Sequence, residues 1–252
     1  MLSKNNIKYI RSLKLNKFRQ KYNNFVVEGD KIAQEMLQDK NIEIENIYAL
    51  SSWIETMDNL LKFHNEKLIP INPKELKKIS FLNTPNNVLI VAKKLSESID
   101  LEEVGNGVSL YLDGIQDPGN LGTIIRIADW FGISTIFYSS NTVALYNTKV
   151  LQATMGAFMR VKVVEMPFNE LLAKFPELPV YGTVLGGENI FKTKPEQKGI
   201  IVIGSEGHGI SEEVIQQLNY KISIPSAVKN GAESLNAAVA TGIVCAIFKN
   251  VS

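Results

Sequence analysis

The chain has 252 residues, of which 45% are hydrophobic and 21% charged, and a formal net charge of +1 at pH 7. This composition predicts a globular protein of one large or two smaller domains, and no apolar run approaches the ~20 residues of a membrane span. Cys245 is the single cysteine, so no intrachain disulfide can form, and the basic N-terminus lacks a secretory signal pattern. A cytoplasmic location without membrane attachment is therefore expected.

The first 93 residues alternate short helical and strand patterns, which predict a compact α/β domain. An apolar stripe at Ile7, Ile10, Leu13 and Phe18 predicts an N-terminal helix. The predicted strands are Phe25–Glu28, Ile47–Leu50, Leu68–Ile71 and Val88–Ala92, and the further predicted helices are Lys31–Leu37, Trp53–Leu61 and Glu75–Ile79. The polar stretch 94–106 is predicted to be a linker.

Basic residues are concentrated at the N-terminus, although the net charge is close to zero. Seven of them precede the first acidic residue, Glu28: Lys4, Lys8, Arg11, Lys14, Lys17, Arg19 and Lys21. Such a block can follow a phosphate backbone, but a solvated helix face has the same composition. The block supports an RNA-binding hypothesis without establishing it.

Residues 107–252 predict a second α/β domain with a mostly parallel sheet. The predicted strands are the apolar runs Val108–Gly114, Ser134–Ser139, Val161–Met166, Val180–Leu185 and Gly199–Gly204, and helices are expected to begin near Asn120, Thr148, Asn169, Ser211 and Glu233. Strands that alternate with helices form parallel sheets covered on both faces. Ligands of such sheets gather at the carboxyl ends of the strands.

The loop Leu112–Gly132 leaves a predicted strand and turns into a helix. Asn120 is expected to cap that helix, Gly122 leaves its first turn bare, and Arg126 follows one turn later on the same face as Gly122. A helix N-terminus beside an arginine can bind phosphate. Ordinary turn chemistry with a solvated arginine gives the same pattern.

Two later loops also carry unusual residues. In Val202–Ser211 the glycines fall as G-x-x-G-x-G, which disfavours a dinucleotide-binding oxidoreductase, and Glu206 is the one acid among them. In Ser223–Phe248, Ser234 and Asn236 open a helix rich in small residues, which permits close backbone approach. A strand-to-helix turn and a capped core helix are the structural alternatives.

Taken in order, the three loops resemble the motifs of the SpoU (TrmH-type) branch of the SPOUT methyltransferases, and the resemblance covers nearly the whole chain. Leu151–Val161 is similar to a further family segment. Arg19–Ile32 and Thr84–Ala92 resemble the L30e-like substrate-binding domain of the family. The first motif is carried by Asn120, Gly122 and Arg126, the second by Gly204, Glu206, Gly207 and Gly209, and the third by Ile224, Pro225, Ser234, Leu235 and Asn236.

The resemblance implies a SPOUT domain with a deep trefoil knot, residues 107–252, preceded by the L30e-like RNA substrate-binding domain, residues 1–93. It also implies a homodimer and the cofactor S-adenosylmethionine. The implied catalytic residues are Arg126, Asn120, Glu206, Ser234 and Asn236, and the implied cofactor-binding residues are Leu185, Gly186, Gly204, Ile224 and Leu235. With two histidines and one cysteine, no metal site is expected.

The expected function is S-adenosylmethionine-dependent methylation of a ribose 2′-hydroxyl in RNA, with ribosomal RNA favoured over transfer RNA by analogy alone. The alternatives are transfer RNA as substrate, methylation of a base, and a non-catalytic RNA-binding protein. Arg126 is expected to grip the phosphate next to the target nucleotide and to favour the developing alkoxide, because guanidinium groups stay protonated in proteins. Glu206 is expected to orient Arg126.

Overall fold

The computed structural model describes residues 2–228 and 233–249. The chain forms two compact units. The first unit consists of Met1–Ser96 together with Tyr146–Gly156, and the second unit consists of Glu97–Leu145 and Ala157–Ser252. Within the described ranges, none of the helices combines the length and the apolar character that crossing a membrane requires.

The first unit is built on a four-stranded sheet. Its strands are β1 (Asn24–Glu28), β2 (Ile44–Leu50), β3 (Leu68–Ile71) and β4 (Val88–Lys93), in the order β1-β4-β2-β3. Strand β4 pairs antiparallel with both neighbours, and β2 pairs parallel with β3. The helices are α1 (Lys4–Ser12), α2 (Asn16–Tyr22), α3 (Asp30–Gln38), α4 (Ser51–Thr56), α5 (Asp58–Leu61) and α6 (Pro73–Ile79).

The N-terminal apolar stripe is helical, but it is divided between α1 and α2. The guanidinium of Arg19 stabilises the break between the two helices, because its Nη1 donates to the carbonyls of Leu13 at 3.1 Å and Lys14 at 2.7 Å. Those carbonyls face the break between the helices. Arg19 is only 3% exposed, so it belongs to the interior of the unit and not to the basic surface predicted from the sequence.

The second unit contains a six-stranded sheet in which all the described pairings are parallel. The strands follow the order β10-β8-β9-β5-β6-β7. This confirms the predicted α/β fold with a parallel sheet; the knot stays a prediction. The strands are β5 (Val108–Asp113), β6 (Thr135–Tyr138), β7 (Lys162–Glu165), β8 (Val180–Asn189), β9 (Gly199–Gly204) and β10 (Tyr220–Ser223), and the helices of the region are α7 (Leu101–Asn106), α8 (Pro118–Trp130), α9 (Thr148–Thr154, in the first unit), α10 (Phe168–Lys174), α11 (Glu212–Ile215) and α12 (Ala237–Lys249).

The two central strands position the site. Every residue of β5 is buried, as are five of the six residues of β9, which explains their continuous apolar runs. In the register of this pair, Asp113 lies beside Gly204. The first and second glycine-bearing loops therefore leave the same edge of the sheet, side by side.

Several local predictions differ from the structure; the predicted helix Trp53–Leu61, for example, is divided between α4 and α5. Residues 101–106 of the predicted linker form α7, which Asp100 caps by accepting from Glu102 N and Glu103 N, and which buries Val104. The first loop enters α8 two residues earlier than expected, so Asp117 is its N-cap and not Asn120. The Oδ1 of Asp117 accepts from the backbone N–H of Asn120 at 2.8 Å.

Candidate active site

A carboxylate at the end of β5 joins the first two loops. The Oδ2 of Asp113 accepts from the backbone N–H of Ser211 at 2.7 Å. The second loop is also closed on itself, because Ser205 and Gly209 exchange backbone hydrogen bonds of 3.0 and 2.9 Å. The result is a tight turn, residues 205–209, held against the start of the first loop.

Three side chains from the three loops form one polar cluster at this edge. The Nδ2 of Asn120 donates to Oε1 of Glu206 at 2.9 Å. The Nδ2 of Asn236 donates to the same Oε1 at 2.5 Å and to Oδ1 of Asn120 at 2.9 Å. Sequence separations of 86 and 116 residues are thus closed, and we call these three residues the polar cluster.

The orientation of Asn236 is fixed by the helix that follows it. Its Oδ1 accepts from Ala238 N at 3.0 Å and from Val239 N at 3.3 Å, so the residue caps α12. The amide nitrogen must then point away from the helix, toward Glu206. Because Glu206 also accepts weakly from Ala237 N at 3.4 Å, its carboxylate lies at the positive end of α12.

Two of the predicted catalytic residues make no hydrogen bond with the polar cluster within the described part of the single chain. Ser234 is exposed and makes no hydrogen bond with any other described residue. Arg126 is exposed on α8, six positions after Asn120, which is about 9 Å along a helix axis. It has no hydrogen-bond or ion-pair partner in the described part of the chain, so Glu206 orients Asn120 and Asn236 there and not Arg126.

Four of the five predicted cofactor-binding residues lie in or directly after adjacent strands of the sheet. Leu185 and Gly186 lie in the second half of β8, Gly204 ends β9, and Ile224 directly follows β10. Leu185 is 83% exposed and Leu235, just before α12, is 46% exposed. Two exposed leucines beside strand-end backbone suit the apolar, backbone-lined pocket that an adenine ring needs.

Gly204 has a structural requirement of its own. A Cβ at this position would lie 2.2 Å from the carbonyl carbon of Gly209 and 2.3 Å from the nitrogen of Ile210. The glycine is therefore required by the close approach of its own loop, whether or not its backbone also contacts a ligand. Gly207, at the turn, has no neighbour within 4 Å of an added Cβ.

A cleft of about 340 Å³ opens beside the polar cluster. It is lined by the first loop and by the turn at residues 205–209. Its lining residues include Gln116 of the first loop, His208 of the turn and Asn141, and reasoning from the sequence did not single out any of these three as functional. Asn141 lies in the loop after β6, outside the three glycine-bearing loops, so no motif of the sequence includes it.

Two buried groups near these loops have raised pKa values. Burial, with the nearby charges of Asp113 and Glu213, raises the pKa of the Tyr111 hydroxyl to about 12. Burial likewise raises the pKa of the Cys245 thiol, in α12, to about 12. Both groups are therefore neutral at physiological pH. Among the described residues, no group of three or more His, Cys, Asp or Glu side chains is placed to hold a metal ion.

Two family models match the chain. The model of the SpoU rRNA Methylase family matches residues 107–246, and the model of the MRM3-like substrate binding domain matches residues 4–90. The first match includes the polar cluster and all five predicted cofactor-binding residues. The second coincides with most of the first unit.

Known proteins resemble the chain along its whole length. It is 26% identical over 247 residues to the 23S rRNA (guanosine(2553)-2′-O)-methyltransferase RlmP of Bacillus subtilis, covering 94% of this chain and 93% of that protein. A structure from Porphyromonas gingivalis, assigned to the TrmH family of RNA methyltransferases, is 35% identical with a TM-score of 0.87 and full coverage of both chains. The AdoMet-bound rRNA methyltransferase of Sinorhizobium meliloti is 25% identical with a TM-score of 0.86, covering 99% of this chain and 97% of that one.

Proposed function

The chain belongs to the SpoU rRNA methylase family, and from this premise we propose that it transfers a methyl group from S-adenosylmethionine to a ribose 2′-hydroxyl of ribosomal RNA. The observation that carries the proposal is the polar cluster, in which three distant loops meet at the carboxyl edge of a parallel sheet. The relative from Bacillus subtilis is named for this reaction on 23S rRNA.

When bound, S-adenosylmethionine supplies a methyl group made electrophilic by its sulfonium centre. We assign the adenine to the exposed Leu185 and Leu235 and to the backbone at Gly186, Gly204 and Ile224. This set contains no ionisable side chain, so it can hold a neutral ring system by packing and backbone hydrogen bonds.

The polar cluster is suited to the acceptor ribose. Asn120 and Asn236 present uncharged amides, and Glu206 holds both of them in one orientation. Preorganised groups of this kind align a weak nucleophile with its electrophile, which supplies much of the acceleration in such displacements. Ser234, exposed next to Leu235, is assigned as a further hydrogen-bonding group for the ribose.

Arg126 is assigned to the phosphate beside the target nucleotide and to the developing alkoxide. Within one chain it lies away from the polar cluster, with no partner among the described residues. In a homodimer, Arg126 of one protomer can lie beside the polar cluster of the other protomer and so complete the site. Trp130 on α8 and Val239 on α12 are 85% and 52% exposed, and burial of such side chains would stabilise the dimer.

The first 93 residues are assigned to RNA binding, with 94–106 as the linker and 107–252 as the methyltransferase domain. Six of the seven basic residues of the N-terminal block are exposed: Lys4, Lys8, Arg11, Lys14, Lys17 and Lys21. None of them forms an ion pair within the described part of the chain. Lysines that are free of acidic partners can bind phosphates without first breaking an ion pair.

The test measures transfer of an isotopically labelled methyl group from S-adenosylmethionine to transcripts of ribosomal and transfer RNA. Calorimetry measures the binding of the cofactor. We expect cofactor binding and label in ribosomal RNA. Label confined to transfer RNA would favour the transfer RNA alternative. Failure to bind the cofactor would leave the non-catalytic RNA-binding alternative.

A further inference from the structure

We propose that the cleft beside the polar cluster receives the base of the acceptor nucleotide, and that Gln116, Asn141 and His208 contact that base. The proposal rests on the proposed function and deepens it, because it names the part of the molecule that selects the nucleotide. Nothing in the motifs of the sequence assigns these three residues.

The position of the cleft is the first argument. Of the residues assigned to the cofactor, Leu185 and Gly186 lie in β8, Gly204 ends β9 and Ile224 follows β10, and these three strands are neighbours in the sheet. The cleft lies at the ends of β9, β5 and β6, so it shares only β9 with the strands of the cofactor-binding set, and none of the five assigned cofactor-binding residues lines it. Asn120 and Glu206 of the polar cluster line the cleft, and Glu206 follows β9, the strand that both sets share. An acceptor oxygen that must meet the methyl group across this cluster places its own base in the cleft.

The charge of the cleft is the second argument. Asp113, Asp117 and Glu206 all line it, so its walls carry carboxylates. Carboxylates repel a phosphate but can accept hydrogen bonds from the N–H groups of a neutral base. The base therefore enters the cleft while its phosphates remain outside. A volume of about 340 Å³ lies at the lower end of the ~300–1,000 Å³ usual for small-molecule sites, which suits one nucleoside.

The third argument is the hydrogen-bonding capacity of the walls. The Oδ1 of Asn141 accepts from Ser139 Oγ at 2.5 Å, which fixes the amide and leaves its Nδ2 without an acceptor among the described residues. The side chains of Gln116 and His208 make no hydrogen bond within the described part of the chain. Three such groups can read the edge of a base that has been turned out of its stack.

The walls are also held in place before any ligand arrives. His208 stands on the closed turn at residues 205–209, where its own N–H donates to Ser205 Oγ at 3.2 Å. Ser211, just beyond the turn, is tied to Asp113. A side chain on a fixed backbone loses less entropy on binding, so each contact discriminates more effectively between bases.

The test uses the full-length protein and four ribosomal RNA transcripts that carry A, C, G or U at the methylated position, once that position has been mapped with the wild-type enzyme. The variants are Gln116→Ala, His208→Ala and Asn141→Asp. Asn141→Asp keeps the acceptor for Ser139 and replaces the free donor by an acceptor. Gln216→Ala, an exposed glutamine of the same unit outside the cleft, is the matched control.

We expect Gln116→Ala and His208→Ala to lower kcat/KM on the preferred transcript about 3- to 10-fold and to narrow the preference among bases, as the loss of one hydrogen bond predicts. Asn141→Asp should change the order of preference. The Kd for S-adenosylmethionine should stay within about twofold, and Gln216→Ala should behave as wild type.

Wild-type kcat/KM and base preference in all three variants would overturn the assignment of the cleft while leaving the proposed function intact. A weaker Kd for S-adenosylmethionine in these variants would also overturn it, because the cleft would then hold the donor. A wild-type protein that methylates none of the transcripts would instead overturn the proposed function, and the cleft assignment with it.

Discussion

Arg126 and Arg160 are both exposed arginines of the second unit, but their surroundings differ. Arg160 forms an ion pair with Asp129, with Nη2 and Oδ2 2.8 Å apart. Arg126 has no partner in the described part of the chain, so its charge remains available to an RNA phosphate. Replacing Arg126 and Arg160 separately by alanine therefore compares the loss of a charge at the assigned site with the loss of a charge elsewhere on the same unit.

Arg126→Ala should lower the rate of methyl transfer at least 100-fold, because a positive group near a developing oxyanion contributes several kcal/mol in enzymes generally. The affinity for S-adenosylmethionine, measured by calorimetry, should hardly change. Arg160→Ala should keep most of the activity, since an exposed ion pair contributes about 0–1 kcal/mol. Wild-type turnover in Arg126→Ala would refute the role assigned to Arg126.

Cys245 is fully buried in α12, and burial raises the pKa of its thiol to about 12. Only the thiolate reacts with disulfide reagents. We expect no reaction of the native protein with such a reagent at pH 8, and one equivalent of thiol per chain after denaturation. Absorbance of the released thiolate measures both. Rapid labelling of the native protein would show that α12 opens readily.

At the scale of the elements, two glycines of the second loop make a matched pair. Gly204→Ala places a Cβ against the backbone of Gly209 and Ile210, and neither can move without disturbing the turn. Gly207→Ala meets open space. We expect Gly204→Ala to lower the free energy of unfolding by about 1–3 kcal/mol, as overpacking does, and to reduce methyl transfer. Denaturant unfolding of both variants measures the difference.

Gly207→Ala should have the same free energy of unfolding as the wild type. Any change in its affinity for RNA or for S-adenosylmethionine would then come from the binding site and not from lost stability. A Gly204→Ala variant as stable as wild type would contradict the close approach of the loop backbone to β9.

A second prediction at this scale concerns the basic surface formed by α1 and the segment that follows it. Lys8 and Lys14 are exposed, whereas Arg19 is buried and binds the carbonyls between α1 and α2. The double variant Lys8→Gln/Lys14→Gln should weaken RNA binding and reduce the slope of log K against log salt by about 1 per lysine. Filter binding at several salt concentrations measures this, with Lys62→Gln as control. An unchanged slope would exclude these lysines from the RNA interface.

At the scale of the whole molecule, the sequence predicts those elements whose burial leaves a continuous or a periodic apolar pattern. Strands β5 and β9 are buried along almost their whole length, so their apolar runs were recognised. Strand β10 was missed, because only Ile222 of its four residues is buried. Helix α7 was missed because it is short and buries only Val104.

The residues of the candidate site could likewise be predicted from the sequence only in part. Asn120, Glu206 and Asn236 could be expected together because each lies in one of the three loops that resemble the family motifs, and the resemblance implies one site. The cap of α8 was assigned to Asn120 instead of Asp117, because both residue types cap helices and Pro118 stands between them. Asn141 and His208 could not be connected from sequence, since what they share is a cleft formed only after folding.

The central claim is that three loops meet to bring a methyl donor to a ribose hydroxyl. Its most direct test is mass spectrometry of the nucleosides released from ribosomal RNA after reaction with deuteromethyl S-adenosylmethionine. The account predicts a 2′-O-deuteromethyl nucleoside at one position with wild-type protein, and at most about a hundredth of that amount with Arg126→Ala after the same short reaction time. A deuteromethyl group on a base, or none on any nucleoside, would contradict it.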